Sequence, residues 1–384
     1  MHKDRQHGFR RKESCLLQGR YVYSEQDILG EGRASRVYSG MDERLSRPVA
    51  LKVYNNVDRM CSHCFRNSIE IYSWLKRSAR CRRSAGAEIE IAEIIGYSVD
   101  GHGQPGVDPS GVLFTAMELG AESLEDVLAR RYRGTSHFSV MELREIHQNL
   151  LSAVHHLDLH GVVHLDIKPS NLVCVPRGGG RCWKLIDLDC AAKADVAVRY
   201  GDISFTPPYM APELARSYLK AGPGHAQHCP VIPLSCMDVW SAGICVLETL
   251  FLCSALTDRY LLLKSRSGTD IEFLTWLADF PREELILPAM YDRLQAVSGD
   301  LVTFLCKILE KDISKRPAAA DCLSHAWLRC HRKPQLHIAP EQHARRSHRR
   351  PVEPARTPLQ VLHQEETGSG QPKTRNRSGS CEAM

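Results

Sequence analysis

Residues 163–171, V-H-L-D-I-K-P-S-N, place three kinds of polar side chain close together in the chain. Asp166 supplies a carboxylate, Lys168 a cation and Asn171 a neutral amide within a span of six residues. These groups suit, in turn, a proton acceptor, a phosphate-binding cation and a ligand for a hard metal ion. The rest of the chain is therefore best understood by how it positions this loop.

The segments on either side of the loop have clear secondary-structure patterns. Ser139 and Glu142 form a capping box before an apolar repeat of helical period, and Gly161 is typical of the end of such a helix. After the loop, two apolar runs around P-R-G-G-G-R predict a β-hairpin. This hairpin puts Asp187 at a strand end, 21 residues after Asp166.

The N-terminal part of the chain predicts a small sheet followed by a helix. Residues 21–54 alternate apolar and polar positions around a glycine-rich turn, L-G-E-G-R-A-S-R-V-Y, and end in V-A-L-K-V-Y. Glycines in such a turn let the backbone approach phosphate oxygens, because no Cβ stands in the way. Lys52 follows on the third strand, and residues 63–78 predict an amphipathic helix that carries Glu70.

These patterns, in this order, resemble the eukaryotic protein kinase family, of the Ser/Thr type. The loop at 163–171 is similar to the H-R-D-x-K-x-x-N motif, Asp187-Leu188-Asp189 to D-F-G, and Ala211-Pro212-Glu213 to A-P-E. The resemblance covers residues 21–330 and implies an α+β fold of two lobes joined by a hinge. The small β-rich lobe, the hinge and the large, mainly helical lobe would span residues 21–117, 118–121 and 122–330.

The resemblance also implies roles for individual residues. It assigns ATP binding to Gly30, Gly32, Ser35, Val37, Ala50, Lys52, Glu70, Met117, Glu118, Leu119 and Glu122. It assigns catalysis to Asp166 and Lys168, Mg²⁺ binding to Asn171 and Asp187, and structural roles to Glu213, Asp238 and Arg316. In this scheme Glu70 pairs with Lys52, Arg316 pairs with Glu213, and Thr206 contacts the catalytic Asp and Lys. Glu122 would meet the ribose of the nucleotide.

The sequence departs from the family pattern at three positions. Ser35 replaces a glycine, and its hydroxyl could donate to a phosphate. Asp189 replaces the glycine of D-F-G and could either help to hold Mg²⁺ or hinder the active geometry. Leu165 replaces an arginine that would bind a phosphate on the activation segment, residues 190–210. We therefore predict that activity does not require phosphorylation of Tyr200, Ser204 or another residue of that segment by this route.

Two functions from different classes fit these residues. The first is an ATP- and Mg²⁺-dependent Ser/Thr protein kinase, a transferase that moves the γ-phosphate of ATP to a protein hydroxyl. The alternative is a pseudokinase scaffold that binds nucleotide or partner proteins without efficient phosphate transfer. The complete catalytic set favours the first, and the three departures keep the second open.

Charge and hydropathy restrict the partners and the location. The net charge of +5 comes from the ends, with +4 in residues 1–20 and +5 in 331–384, which leaves −4 between them. The enzyme part is therefore not expected to bind nucleic acid, whereas the ends, predicted to be a disordered arm and a disordered tail, could bind acidic partners. No apolar run is long enough for a membrane span, and no secretory signal is present, so we expect a cytoplasmic or nuclear protein.

The fifteen cysteines are scattered, and two groups raise the question of zinc. Cys61 and Cys64 form a C-x-x-C, and a predicted loop insertion at 216–236 contains His225, His228, Cys229 and Cys236. A structural zinc site needs four ligands at fixed spacing. We therefore expect free thiols and surface histidines rather than a metal site.

Overall fold

The structure, a computed structural model, describes residues 14–81, 90–177, 180–222, 229–281, 285 and 288–329. The predicted tail at 331–384 lies outside this part of the chain, as do residues 1–13, His225 and His228. The two-lobed α+β architecture is confirmed: a curled sheet with one long helix precedes a large helical lobe.

The small lobe is built on a six-stranded antiparallel sheet in the order β1-β2-β3-β4-β6-β5. Its strands are β1 (Cys15–Leu17), β2 (Tyr21–Glu31), β3 (Ser35–Asp42), β4 (Arg47–Tyr54), β5 (Ile94–Tyr97) and β6 (Phe114–Glu118). Because β1 pairs with Tyr21–Tyr23, ordered structure begins before Tyr21. The prediction of a disordered arm through residue 20 is therefore wrong for residues 15–20.

Helix α1 (Arg59–Cys81) packs against this sheet through one apolar face. Phe65 is fully buried and meets the ring of Tyr54 edge-on, at a centroid distance of 5.8 Å. Cys61 and Cys64 are buried in the same cluster, so their thiols serve as apolar contacts there. Among the described residues, no three His, Cys, Asp or Glu side chains are grouped as metal ligands.

The chain then crosses to the large lobe through a tight segment. Gly120 packs directly on the strand at 172–177, where an added Cβ would lie 2.7 Å from Cβ of Val173, so only glycine fits. The predicted capping box of Ser139 and Glu142 begins α3, and a second capping box, Ser123 with Asp126, begins α2. The elements of this region are β7 (Glu122–Ser123), α2 (Leu124–Arg133), α3 (Val140–Leu159) and β8 (Val162–Val163).

The predicted hairpin after the polar loop is formed by β9 (Leu172–Arg177) and β10 (Gly180–Leu185). Two short antiparallel pairs follow: β11 (Ala192–Lys193) with β8, and β12 (Val198–Arg199) with β13 (Pro230–Val231). These pairs fix the segment between the hairpin and the next helix against the large lobe.

The large-lobe core is formed by helices packed around α5, in which every residue from Met237 to Thr249 is buried. The helices are α4 (Pro212–Ala221), α5 (Ser235–Phe251), α6 (Thr257–Ser267), α7 (Ile271–Asp279), α8 (Pro288–Val297), α9 (Gly299–Ile308), α10 (Ala319–Leu323) and α11 (Ala326–Arg329). The predicted loop insertion at 216–236 is too long, because residues 216–221 belong to α4 and 235–236 to α5. No helix in the described part of the chain has the length and apolarity needed to cross a bilayer.

Candidate active site

The polar loop brings its carboxylate, its cation and a threonine into mutual contact. Lys168 Nζ donates to Asp166 Oδ2 at 2.7 Å and to Thr206 Oγ1 at 2.9 Å. The Thr206 hydroxyl donates to Asp166 Oδ1 at 2.7 Å. Both oxygens of the nearly buried Asp166 carboxylate are thus held in place, and its orientation is fixed before any substrate arrives.

Asn171 closes the loop from the other end. It lies in a short 3₁₀ turn, Pro169–Asn171, and its Nδ2 donates to the backbone oxygen of Asp166 at 2.8 Å. Because the amide nitrogen is used within the loop, the amide oxygen points the other way, as a ligand for a hard cation would have to.

The backbone of the loop is anchored by Asp238, at the start of α5. Its Oδ2 accepts from the His164 N–H at 2.6 Å and its Oδ1 from the Leu165 N–H at 3.0 Å. Leu165 has a φ of +65°, a left-handed conformation that a leucine rarely adopts. The buried Asp238 carboxylate therefore holds a strained turn directly before Asp166.

A second charged group lies where β4 meets the end of the hairpin. The buried Lys52 Nζ lies 2.7 Å from Asp187 Oδ1 and 2.7 Å from Asp189 Oδ2. Burial lowers the pKa of Lys52, but the charges of Asp187 and Asp189 outweigh it and raise this pKa well above its usual value. Burial, together with the Asp187 charge, raises the pKa of Asp189. One cation is thus shared between two carboxylates.

A sequence model of the protein kinase domain matches residues 23–328. The chain belongs to the protein kinase family. It is 24% identical over 325 residues to myosin light chain kinase 3 of Homo sapiens, which covers 83% of this chain and 32% of that protein. It is 24% identical over 308 residues to the smooth-muscle myosin light chain kinase of Gallus gallus, covering 80% of this chain and 14% of that protein.

A third relative is the delta subunit of calcium/calmodulin-dependent protein kinase type II of Oryctolagus cuniculus. It is 25% identical over 263 residues, which cover 67% of this chain and 43% of that protein. This kinase domain therefore spans less than half the length of each of these curated relatives.

The residues expected to pair with Lys52 differ from those observed. Glu70 is exposed on the outer side of α1, whereas Ser68 on the inner side lines a cavity of about 20 Å³ together with Lys52 and Asp189. A helix turns about 100° per residue, so positions 68 and 70 lie on nearly opposite faces. The predicted Glu70–Lys52 pair is therefore wrong in this structure, and Asp189 lies in its place.

The glycine-rich turn lies between β2 and β3. Gly30 pairs with Val37, and the Gly32 N–H donates to the Ser35 carbonyl oxygen at 2.8 Å. Val37 in turn pairs with Lys52, so Gly30, Val37 and Lys52 are cross-strand neighbours on three adjacent strands. Ser35 is buried at the start of β3, which does not present its hydroxyl at the surface where a phosphate would lie.

The strands that lead to the hinge position the remaining predicted nucleotide residues. Ala50 on β4 pairs with Met117 on β6, and Met117 lines the same small cavity as Lys52 and Asp187. Leu119 follows in the hinge itself. The Glu118 carboxylate accepts from Lys184 Nζ at 2.8 Å, and the Glu118 backbone N–H donates to the Glu93 carbonyl oxygen at 2.9 Å.

Two other predicted carboxylates are held in ion pairs. Glu122, expected at the ribose, is paired with Arg130 on α2. Glu213 receives two hydrogen bonds from the fully buried Arg316 guanidinium, at 2.6 and 3.0 Å. Arg316 also donates to the backbone oxygen of Cys236, which joins the A-P-E segment to α5.

The sequence patterns missed two residues that shape the site. The Tyr54 hydroxyl donates to Asp189 Oδ1 at 3.0 Å, and Asn67 Nδ2 donates to the backbone oxygens of Asp189 and Ala191 at 3.0 and 2.8 Å. Tyr54 lies two positions after Lys52 on one strand, so the period of two in β4 put both side chains on one face. Nothing in the sequence of α1 indicates the contacts of Asn67.

Proposed function

We propose that this chain is an active Ser/Thr protein kinase that transfers the γ-phosphate of ATP to a protein hydroxyl. The observation that carries the proposal is the closed triangle of hydrogen bonds among Asp166, Lys168 and Thr206. It holds a carboxylate and an ammonium group side by side in the loop at 163–171. Phosphoryl transfer depends on such positioning and charge neutralisation more than on covalent help from the protein.

The roles of these groups follow from their chemistry. Asp166 accepts a hydrogen bond from the substrate hydroxyl and orients its oxygen toward the phosphate. Lys168 offsets the negative charge on the transferred group. The Thr206 hydroxyl hydrogen-bonds to both Asp166 and Lys168 and so fixes the positions of their side chains. Lys52, on β4 of the small lobe, would bind the phosphates of the nucleotide.

The donor set at the hairpin end fits a Mg²⁺ ion. Asp187 supplies a carboxylate and Asn171 an amide oxygen, both hard ligands, and the remaining positions would come from phosphate and water. Bound there, Mg²⁺ would neutralise phosphate charge. The fit rests on the Asn171 amide, whose nitrogen is already committed to the Asp166 backbone oxygen.

Leu165 supports activity without phosphorylation of the activation segment. Its side chain is buried among the apolar residues of the large lobe, so it offers no cation for a phosphate. Tyr200 is also buried, and its hydroxyl donates to the Leu214 carbonyl oxygen at 3.0 Å. Phosphatase-treated protein should keep its activity; loss of activity that is restored by phosphorylating Tyr200 or the exposed Ser204 would overturn this.

A specific observation also favours the second candidate, a nucleotide-binding pseudokinase. Lys52 is held by two carboxylates that both come from the segment after the hairpin, and neither comes from helix α1. An altered partner at this lysine is the kind of change that would allow nucleotide binding to persist while transfer fails.

Purified full-length protein incubated with labelled ATP, Mg²⁺ and a generic basic protein distinguishes the two. Wild type and Asp292→Asn, a change on the exposed surface of α8, should label the substrate, whereas Asp166→Asn should not. Equal labelling by wild type and Asp166→Asn would overturn the kinase proposal. Nucleotide binding by wild type without any transfer would establish the pseudokinase.

We further propose a cytoplasmic or nuclear location, with the basic tail at 331–384 as the segment that binds acidic partners. Its support is the excess of five positive charges in that segment. A fluorescent fusion with and without residues 331–384 tests the location, and secretion of the full-length fusion would contradict it.

A further inference from the structure

We propose that Asp189 replaces the missing helix carboxylate as the positioning residue of Lys52 during nucleotide binding. The inference rests on the proposed binding of a nucleotide at Lys52. It assigns a purpose to the residue that departs most from the family pattern, the aspartate at the glycine position of D-F-G.

Helix α1 cannot supply the partner that Lys52 needs. Glu70 is the only acidic residue in its sequence, Arg59–Cys81, and it is exposed. The helix face toward the lysine carries Ser68, which is small and uncharged and lines the same small cavity as Lys52 and Asp189. Moving Glu70 to Lys52 would require α1 to rotate by about half a turn and bury its polar face.

The Asp189 carboxylate is held in a defined orientation toward Lys52 by its hydrogen-bond donors. Its side chain is 9% exposed, Oδ2 lies 2.7 Å from Lys52 Nζ, and Oδ1 accepts from the Tyr54 hydroxyl at 3.0 Å. Tyr54 is itself fixed by its edge-on contact with Phe65. Each carboxylate oxygen therefore has one defined donor, as expected for a buried charge that is retained.

The backbone that carries Asp189 is tied to α1 by a neutral side chain. Asn67 Nδ2 donates to the backbone oxygens of Asp189 and Ala191 at 3.0 and 2.8 Å. Leu188 between the two aspartates is buried in the large-lobe core. The helix thus still contacts the site, but through an amide-to-backbone bond in place of a carboxylate-to-lysine pair.

The charge balance explains why this arrangement suits a nucleotide site. Asp187, Asp189 and Lys52 together carry a net charge of −1, the same as a lysine with one helix glutamate and one metal-binding aspartate. Asp187 Oδ1 is shared between Lys52 Nζ and the Asp189 N–H, at 2.7 and 3.2 Å. When the Asp187 carboxylate binds Mg²⁺ instead of Lys52, Asp189 would keep the Lys52 side chain extended toward the phosphates.

The test compares Asp189→Asn and Asp189→Gly with wild type and with the matched control Glu70→Gln. The probe is ATP with Mg²⁺, and the readouts are its Kd by calorimetry and KM and kcat for phosphate transfer. Both Asp189 variants should bind ATP about 10- to 100-fold more weakly, the range for loss of a residue that orients a ligand-binding group. Glu70→Gln should match wild type.

Two further variants separate positioning from general support of the fold. In a Lys52→Met background, Asp189→Asn should have no additional effect on Kd, because Asp189 acts through the lysine. Ser68→Glu combined with Asp189→Gly returns a carboxylate to the helix and should restore most of the lost affinity. An Asp189→Asn effect that persists without Lys52 would overturn the proposal, as would wild-type affinity in both Asp189 variants.

Failure of the proposed kinase activity has a different signature. Wild type that binds ATP but transfers no phosphate would remove the kinase proposal, while the Kd comparison would still decide the role of Asp189. Glu70→Gln that weakens ATP binding as much as Asp189→Asn would show that the helix glutamate holds Lys52 in solution, and would overturn the inference directly.

Discussion

The contact between Asp238 and the polar loop at 163–171 leads to a prediction about both stability and activity. Asp238→Asn keeps one oxygen acceptor but turns an NH₂ group toward the second backbone N–H. Either His164 or Leu165 then loses its acceptor, in a site where Asp238 is 1% exposed. We expect the free energy of unfolding to fall and the loop before Asp166 to relax.

The size of the effect follows from the two hydrogen bonds. A bond to a charged group contributes about 1.5 to 3 kcal/mol, and a buried N–H left unpaired costs about 1 to 3 kcal/mol. Burial raises the pKa of Asp238, which means that the cost of desolvating the carboxylate offsets part of the stabilisation from its hydrogen bonds. We therefore expect a loss of about 2 kcal/mol. The left-handed turn at Leu165 is strained, so without its anchor it should shift and reduce kcat at least tenfold.

The assay is urea unfolding of the full-length protein, followed by tryptophan fluorescence, with kcat measured on the same preparations. Asp292→Asn, the exposed change on α8, is the matched control and should leave both values unchanged. An Asp238→Asn variant with wild-type stability and wild-type kcat would refute the reasoning, because the anchor would then hold nothing in place.

Three further predictions concern other groups of the large lobe. Burial raises the pKa of Glu248 to about 7 from 4.5, so its contribution to stability is lost as the pH rises through this range. Glu248→Gln should remove this pH dependence. The free energy of unfolding of the variant, relative to that of wild type, should therefore rise by about 2 kcal/mol from pH 5 to pH 8, measured by urea unfolding at each pH. Arg316→Met leaves the Glu213 carboxylate without its buried cation and should lower the free energy of unfolding by about 3 to 5 kcal/mol. Adding Glu213→Gln should recover part of this loss. Thr206→Val should lower kcat about tenfold with little change in unfolding, whereas Thr206→Ser, which keeps the hydroxyl, should retain activity.

Each of these has a result that contradicts it. A pH slope that Glu248→Gln leaves unchanged would mean that another group titrates in this range. An additive double mutant at Arg316 and Glu213 would mean that the two side chains do not interact. Equal activity in the valine and serine variants of Thr206 would remove its hydroxyl from the site.

Local rules made most of the fold predictable. The capping boxes at Ser123 and Ser139 depend on residues three apart, and both are present. The hairpin that ends near Asp187 depends on two apolar runs and a turn, and it too is present. The predicted disordered arm was wrong for residues 15–20 because β1 forms by pairing with β2, and the sequence of a three-residue strand does not indicate that pairing.

The sequence by itself determined which polar groups lie on the loop at 163–171, since Asp166, Lys168 and Asn171 lie within six residues and any fold of this loop keeps them together. Only the tertiary structure decided the partner of Lys52. That partner depends on which face of α1 packs inward and on the turn at Asp187, whose φ of +69° brings Asp189 back toward β4. Spacing along the chain cannot report either, because both are settled by the burial of apolar side chains from distant segments.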